Sequence, residues 1–523
     1  KELSLRTLYQ YILDIPRLMF PFVPDILRAV SCVSPIHCCS EDNTDSLTII
    51  GAIISDACKL WLRFAPASEQ SAEAISNMFE TASAYLLATL QEANKIASAH
   101  GNVAFSVAAV DNARLTLLIF VENNDVARSS PMSLSSGRAL FLCLRDQIHM
   151  WITRKYEGRA GLLGGEGGRE GEGEGEEGGM GDTRAQEEEE QAEEDLWLGL
   201  TDSVGHLFHA MALADASLLF QQDVLPFFVP LLPASEGSLP LLSLLISILT
   251  DAVEAFAKNE ALCHSVIELL APFLFRYVDQ DDVAILCVYG MGACALHGGD
   301  SSVWASHAAD ASACLLQCLQ LMVSSEQDED TDEELKGTIV SALFKVGISQ
   351  DNSEALLVQV LQSLLPLACF PYEARECHSL LVDEMMRGNA RLLGGASGSN
   401  LVVLLGILAQ LAALDLEARS LLCSTSASSP VPTLPLSDTA TGGKSVDRDD
   451  SDFWGEQLVA ESFQQKVQML FAGRGGEEGR EGELLICGFD RGLILSLTQR
   501  LPVEHQQALF SLLEQKTATS TSC

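Results

Sequence analysis

The sequence is poor in aromatic residues and in basic residues. Aromatic residues make up 6% of the 523 residues, and the apolar side chains are mainly Leu, Ala, Val and Ile. This composition favours helices packed on helices over a β-sandwich. The chain has 32 Lys and Arg against 72 Asp and Glu, a net charge of −40. That charge excludes binding of nucleic acid or an anionic membrane by bulk electrostatics, so we expect basic proteins as partners.

Membrane-spanning runs and disulfide patterns are also missing. The longest apolar runs, 238–249 and 401–414, are too short to cross a bilayer. The chain has no CxxC pair and no secretory signal, and its 15 cysteines are scattered. We predict buried free thiols in a reducing compartment. This applies above all to Cys287, Cys294, Cys314 and Cys318. An amphipathic pattern starts at once from Lys1, without Met, which indicates the C-terminal part of a longer protein.

Nucleotide-binding motifs fail when their surroundings are considered. The letters GEGEEG at 173–178 match GxGxxG, but no strand precedes them and the glutamates would repel a pyrophosphate. The letters GKS at 443–445 end like a phosphate-binding loop, but position 438, where its first Gly is needed, is Asp. We therefore predict no nucleotide cofactor.

Catalytic and metal-binding motifs are missing as well. His206 and His209 lie three residues apart on a predicted helix, without an HExxH motif or a cysteine cluster. Cys377 and His378 form an isolated pair on a helical face. Satisfied or partly exposed histidines explain these positions better than metal ligands. With no GxSxG elbow and no kinase signature, we predict no enzyme, no cofactor, no metal and no catalytic residue.

The sequence does contain helical periodicity along most of its length. The predicted helices come in pairs, and four second helices are expected to start near Leu239, Asp281, Glu333 and Tyr372, which are 42, 52 and 39 residues apart. A period near 40 residues with two helices is typical of HEAT and armadillo repeats. We predict an all-α HEAT-repeat solenoid. Gly290, Gly292, Ala293 and Ala295 are expected to allow close helix packing.

Three segments interrupt the pattern and define the predicted domains. Between Glu166 and Asp195 there are 14 acidic residues and two arginines, and 326–334 adds seven acidic residues. A Ser/Thr/Pro/Gly-rich stretch begins at Ser424 and is predicted to be disordered. The predicted division is HEAT repeats at 1–157, an acidic disordered insertion at 158–195, HEAT repeats at 196–423, a linker at 424–452 and C-terminal HEAT helices at 453–523.

The predicted second helices carry acidic residues that are candidates for protein binding. If these helices line one face of a solenoid, the acids could form a groove for a Lys/Arg-rich segment. A charged face that only keeps the protein soluble is the alternative interpretation. The candidates are Asp251, Glu254, Asp281, Asp282, Glu333, Glu334, Glu373, Glu376, Asp383 and Glu384.

Several stretches resemble the late HEAT repeats of the importin-β (karyopherin-β) superfamily. They are FLFRYV at 273–278, VYGMGA at 288–293, HGGD at 297–300, SALFKV at 341–346, the run 360–371, RLLG at 391–394 and LPVEHQQAL at 501–509. The stretches follow the family's order. The similarity covers about residues 196–415 and 496–515.

This resemblance implies a nuclear transport receptor that shuttles between cytoplasm and nucleus. Such receptors bind basic cargo, for example ribosomal proteins or histones, and cross the pore through weak contacts with Phe-Gly nucleoporins. Ran-GTP displaces the cargo, mainly through N-terminal repeats that we expect to lie outside this chain. Because of the net charge of −40, we expect no nucleic acid and no membrane among the partners. A HEAT scaffold that organises a multiprotein complex is the alternative.

Overall fold

The computed structural model describes most of the chain. The described residues are 2–31, 42–64, 72–100, 103–122, 132–163, 179–235, 238–298, 302–324, 329–350, 353–367, 371–426 and 497–514. Within them the protein is all-α and has no strand; an isolated bridge joins Met132 and Met211. The chain divides into two compact units, Lys1–Leu270 and Ala271–Cys523.

The first unit begins with nine main helices and also contains the start of a tenth. These are α1 Glu2–Asp14, α2 Val23–Ser31, α3 Asp42–Phe64, α4 Ala72–His100, α5 Val103–Glu122, α6 Leu134–Leu163, α7 Gly179–His209, α8 Leu213–Leu219, α9 Leu239–Ala255 and α10 Glu260–Tyr277, which runs across the division. Short turns of helix lie at Pro16–Met19, Phe20–Phe22, Phe220–Val224, Leu225–Phe228, Val229–Leu231 and Leu232–Ser235.

The second unit is also built from helices. These are α11 Asp281–Gly298, α12 Ala308–Ser324, α13 Glu329–Ser349, α14 Glu354–Ser363, α15 Pro371–Arg387, α16 Leu401–Ser426 and α17 Val503–Glu514. Short turns of helix lie at Ser302–Ala305, Ala390–Leu393 and Gly395–Ser397.

The helices of the first unit pack in two rows. The odd row consists of α3, α5, α7 and α9, each of which contacts the next. The even row consists of α2, α4, α6 and α8, which contact one another in the same way. Helices α4 and α5 also pack on each other although only two residues separate them, so they run antiparallel. In the second unit α11, α13 and α15 pack on one another in the same alternate order and form the odd row of that unit.

The predicted second helices are the odd-numbered helices. Helices α9, α11, α13 and α15 start at residues 239, 281, 329 and 371, so the starts lie 42, 48 and 42 residues apart. The largest difference from the prediction is at α13, which begins at Glu329, four residues before Glu333. Because its first turn is acidic, the helix dipole favours this earlier start.

Close packing within the odd row depends on glycine. A Cβ on Gly292 of α11 would lie 3.1 Å from the Cα of Ala342 on α13, which confirms the predicted close approach at this residue. In the first unit, Gly51 of α3 leaves room for the side chain of Asn112 on α5. The Asn112 amide is buried and donates a hydrogen bond to the Leu47 carbonyl at 3.0 Å. A larger residue at either glycine would separate the helices.

One window in the described part of the chain is long and apolar enough to cross a membrane by length and composition. It is Ala104–Val121 in α5, and 61% of it is buried inside the protein. Helix α5 contacts α3, α4 and α7 and carries the ion pair between Asp111 and Arg114. These contacts are those of a core helix.

The predicted disordered insertion at 158–195 differs from the structure at both ends. Helix α6 continues to Leu163, and α7 begins at Gly179. The reason lies in the composition of 185–195, where Ala, Gln and Glu are strong helix formers that extend the apolar helix following them. Residues 164–178 lie outside the described part. Helix α16 likewise continues to Ser426, beyond the predicted start of the linker at Ser424, and 427–496 lie outside the description.

Candidate partner-binding surface

The candidate acids in the first unit, Asp251 and Glu254, both lie on α9. Asp251 is half-buried, and its carboxylate fills the space beside Gly205 of α7. Burial raises the pKa of Asp251 well above its ordinary value, and the charges of Glu254 and Asp202 act in the same direction. Glu254 is half-exposed. The structure therefore uses the Asp251 carboxylate in helix packing against α7.

An ion-pair network between α5 and α7 lies beside these acids, and the sequence analysis missed it. Arg114 is 2.8 Å from the Asp111 carboxylate and 3.6 Å from the Asp202 carboxylate. Burial raises the pKa of Asp202, whereas Arg114 acts to lower it. Because α5 and α7 are separated by a long stretch of sequence, no local motif links these residues. In this network a single arginine, Arg114, lies between the carboxylates of Asp111 and Asp202.

The neighbouring histidines also belong to this packed region. Burial lowers the pKa of His206 to about 4 and also lowers that of His209. Both imidazoles are therefore neutral near pH 7 and add no positive charge to the odd row. The prediction of partly exposed histidines is confirmed, since both side chains are half-buried.

In the second unit, the acids of α13 lie at the surface. Glu333 is exposed and Glu334 is half-exposed. Helix α11 begins with Asp281 and Asp282, whose side chains lie outside the described part of the structure. Of the two candidates on α13, Glu333 is the more exposed.

Glu373 of α15 is not available to a partner, which corrects the expectation that it lines a groove. Its carboxylate lies 3.4 Å from Nζ of Lys345 on α13, and the two side chains are 3% and 7% exposed. Nζ of Lys345 also lies 4.7 Å from the centroid of the Tyr289 ring on α11. A buried carboxylate needs such a partner because its desolvation is costly. Glu373 therefore joins odd-row helices.

Glu384 is also a structural residue. It is buried and forms an ion pair with Arg387, and it accepts a hydrogen bond from the side chain of Asn389 at 2.8 Å. The Asn389 side chain accepts in turn from the backbone N–H groups of Arg391 and Leu392, so it caps the next helical turn. The expectation that Glu384 contacts cargo is corrected here, since its carboxylate fixes the end of α15.

The two remaining candidates on α15 share a face of the helix. Glu376 and Asp383 are half-exposed and lie seven residues apart, which is about two helical turns. Both have interactions with neighbouring groups. They are the surface acids of α15, in contrast to the buried Glu373 and Glu384.

The isolated pair Cys377–His378 is buried among the helices. The ring Nε2 of His378 accepts a hydrogen bond from the Leu367 N–H at 3.1 Å, so this ring nitrogen is satisfied. Burial raises the pKa of the Cys377 thiol to about 12, so it is not a reactive thiolate. In the described part of the chain, no group of three or more His, Cys, Asp or Glu side chains is placed to hold a metal ion.

The described residues thus define an all-α protein in which odd-numbered helices pack on one another within each unit, and the acids of these helices are partly buried and partly at the surface. No model of a known protein family matches the chain, and no curated protein matches it.

Proposed function

We propose that this chain is a HEAT solenoid and belongs to a nuclear transport receptor of the importin-β type. The observations that carry the proposal are the packing of odd-numbered helices on one another within each unit and the helix starts along the chain, which lie 42, 48 and 42 residues apart from α9 to α15. Repeats of about 40 residues, each a helix pair that contacts its neighbours, are the building unit of HEAT arrays. The resemblance of several of these stretches to late importin-β repeats gives the proposal its functional part.

The proposed activity is binding, without covalent chemistry. The surface acids of the odd row attract Lys/Arg-rich cargo, for example a ribosomal protein or a histone tail. The protein's net charge of −40 steers such partners towards it. The acids proposed to contact cargo are those that the structure leaves at the surface, namely Glu254, Glu333, Glu334, Glu376 and Asp383.

The even-numbered helices supply the proposed contacts with Phe-Gly nucleoporins. Leu213 and Leu218 on α8 are 36% and 40% exposed, and Leu321 on α12 is 57% exposed. Single exposed leucines suit weak, short-lived binding of one aromatic side chain at a time. Ran-GTP is proposed to act mainly through repeats outside this chain, and the receptor moves between cytoplasm and nucleus.

Charge reversal on α15 tests the cargo surface. We expect Glu376→Lys with Asp383→Lys to weaken binding of a Lys/Arg-rich histone-tail peptide about tenfold, or about 1.4 kcal/mol. The matched control is Asp310→Lys with Glu354→Lys, which makes the same charge change at exposed acids of the even-numbered helices α12 and α14. Fluorescence anisotropy at two salt concentrations measures both affinities.

The control separates a site from a general charge effect. The proposal is supported if the α15 variant binds the peptide more weakly, the control variant binds it with unchanged affinity, and added salt weakens binding. Equal losses in both variants would assign the binding to overall charge, and no loss in either would remove these acids from the cargo surface. A single tight partner with no response to basic peptides would favour the scaffold.

A further inference from the structure

Exposed large apolar side chains are concentrated at the start of the first unit. Helix α1 packs on α3, and Ile12 of α1 is buried. The outer side of α1 and of the helical turns that follow it, here called the α1 face, carries six exposed apolar residues. They are Leu3, Tyr11, Leu13, Ile15, Leu18 and Phe22.

The α1 face is continuous across the junction between α1 and the next helical turns. A spacing of four, three and four residues places four of its members on consecutive turns of one helical side, and these are Tyr11, Ile15, Leu18 and Phe22. The backbone keeps this register through the junction. The N–H of Ile15 donates to the Tyr11 carbonyl, and the N–H of Met19 donates to the Ile15 carbonyl, both at 3.1 Å.

The area of the α1 face matches what a stable dimer needs. Its six residues are between 39% and 79% exposed. At about 150–200 Å² for a whole side chain, they offer on the order of 500 Å² of apolar surface. A standard interface takes about 800 Å² from each partner, and about 60% of that area is apolar. The α1 face therefore supplies the apolar part of one standard interface.

Charge favours a second copy at the α1 face. The first 31 residues have four basic and three acidic residues, a net charge of +1, although the whole chain has −40. The other exposed large apolar residues described in the first unit lie between Leu198 and Leu239, a stretch with four acidic residues and no Lys or Arg. Two strongly acidic chains repel each other, and the repulsion is weakest where neither copy adds negative charge to the contact.

We propose that the α1 face binds the α1 face of a second copy of this chain in a symmetric dimer. A twofold arrangement buries the same side chains from both copies. Because this contact is apolar and joins two acidic proteins, added salt strengthens it by screening the repulsion. The proposed cargo binding weakens with salt, so the two properties are distinguishable, and the dimer does not depend on a transport function.

Sedimentation equilibrium of the purified chain tests the dimer. We expect the mass to rise from 56.3 kDa to twice that value between about 1 and 100 μM protein. The dissociation constant should fall when NaCl is raised from about 0.05 to about 0.5 M. Leu18→Glu with Phe22→Glu should raise the dissociation constant at least about a hundredfold, because the symmetric interface then buries each carboxylate twice.

The matched control is Leu198→Glu with Leu239→Glu, which makes the same charge change at leucines that are 59% and 42% exposed. We expect it to leave the dissociation constant unchanged within about twofold. Circular dichroism should show unchanged helix content, and Leu18→Ser with Phe22→Ser provides an uncharged second variant if the glutamates reduce it.

Four results would overturn the proposal. A folded monomer at all concentrations would assign the α1 face to a partner other than a second copy. A dimer that persists in both α1-face variants, or one that the control weakens equally, would place the contact elsewhere. Growth beyond twice the monomer mass would contradict a symmetric contact, which closes at two copies.

Discussion

Breaking the buried ion pair between Lys345 and Glu373 should destabilise the second unit strongly. Glu373→Gln leaves the Lys345 ammonium without its counter-charge in a place where the two side chains are only 7% and 3% exposed. Removing one member of a buried pair typically costs about 3–5 kcal/mol, because the remaining charge is desolvated and unpaired. We expect a loss of about 3 kcal/mol, since the contact with the Tyr289 ring still stabilises the ammonium.

The double variant Lys345→Met with Glu373→Leu should be more stable than either single variant. Apolar side chains of similar size remove both desolvation penalties together. Hydrogen exchange measured by mass spectrometry on peptides from α13 and α15 reports the change locally. A loss of about 3 kcal/mol corresponds to exchange that is faster by about a hundredfold.

Glu376→Gln is the matched control for this experiment. It removes a half-exposed carboxylate from the same helix, and we expect a change of less than about 0.5 kcal/mol. Two results would show that the ion pair does not stabilise the packing of α13 and α15. One is a change in stability for Glu373→Gln as small as that of the control. The other is a loss of stability in the double variant equal to the sum of the losses in the two single variants.

Two further predictions concern the helix contacts of the odd row. Gly292→Val should destabilise the second unit by about 1–3 kcal/mol in urea unfolding, because its side chain meets Ala342, and a neutral result would refute the close approach. Asp251→Asn should raise the free energy of unfolding at pH 7 but not at pH 4. The pKa of Asp251 is higher in the folded than in the unfolded protein, so the free energy of unfolding falls as pH rises from about 4 through the folded-state pKa. The uncharged amide of Asn does not titrate, so the variant does not suffer this loss. An equal change in the free energy of unfolding at pH 7 and pH 4 would contradict the raised pKa of Asp251.

The sequence predicts the helices better than it predicts the site. Periodicity places the starts of α9, α11 and α15 within a residue, because amphipathic helices are encoded by local spacing. The role of Gly292 also follows from local composition, since small residues allow helices to approach. The start of α7 at Gly179 was missed because a Glu-rich segment reads as a solvated loop, although Ala, Gln and Glu favour helix.

The candidate acids are predicted less well because burial depends on residues distant in sequence. Glu373 is neutralised by Lys345, 28 residues earlier, and nothing in the local pattern distinguishes it from Glu376. Asp202 depends on Arg114 of another helix in the same way. Glu384 could have been recognised, since Arg387 and Asn389 follow it closely and an Asn before a short helix is a capping signal.

The most direct test of the proposed function is a titration of this chain with a Phe-Gly repeat peptide at physiological salt, beside the same peptide with Phe replaced by Ser. The transport proposal predicts weak, saturable binding that is lost with the Ser peptide. Absence of binding to the Phe-Gly peptide, with the helix content intact, would contradict the pore contacts proposed for this chain and favour a HEAT scaffold.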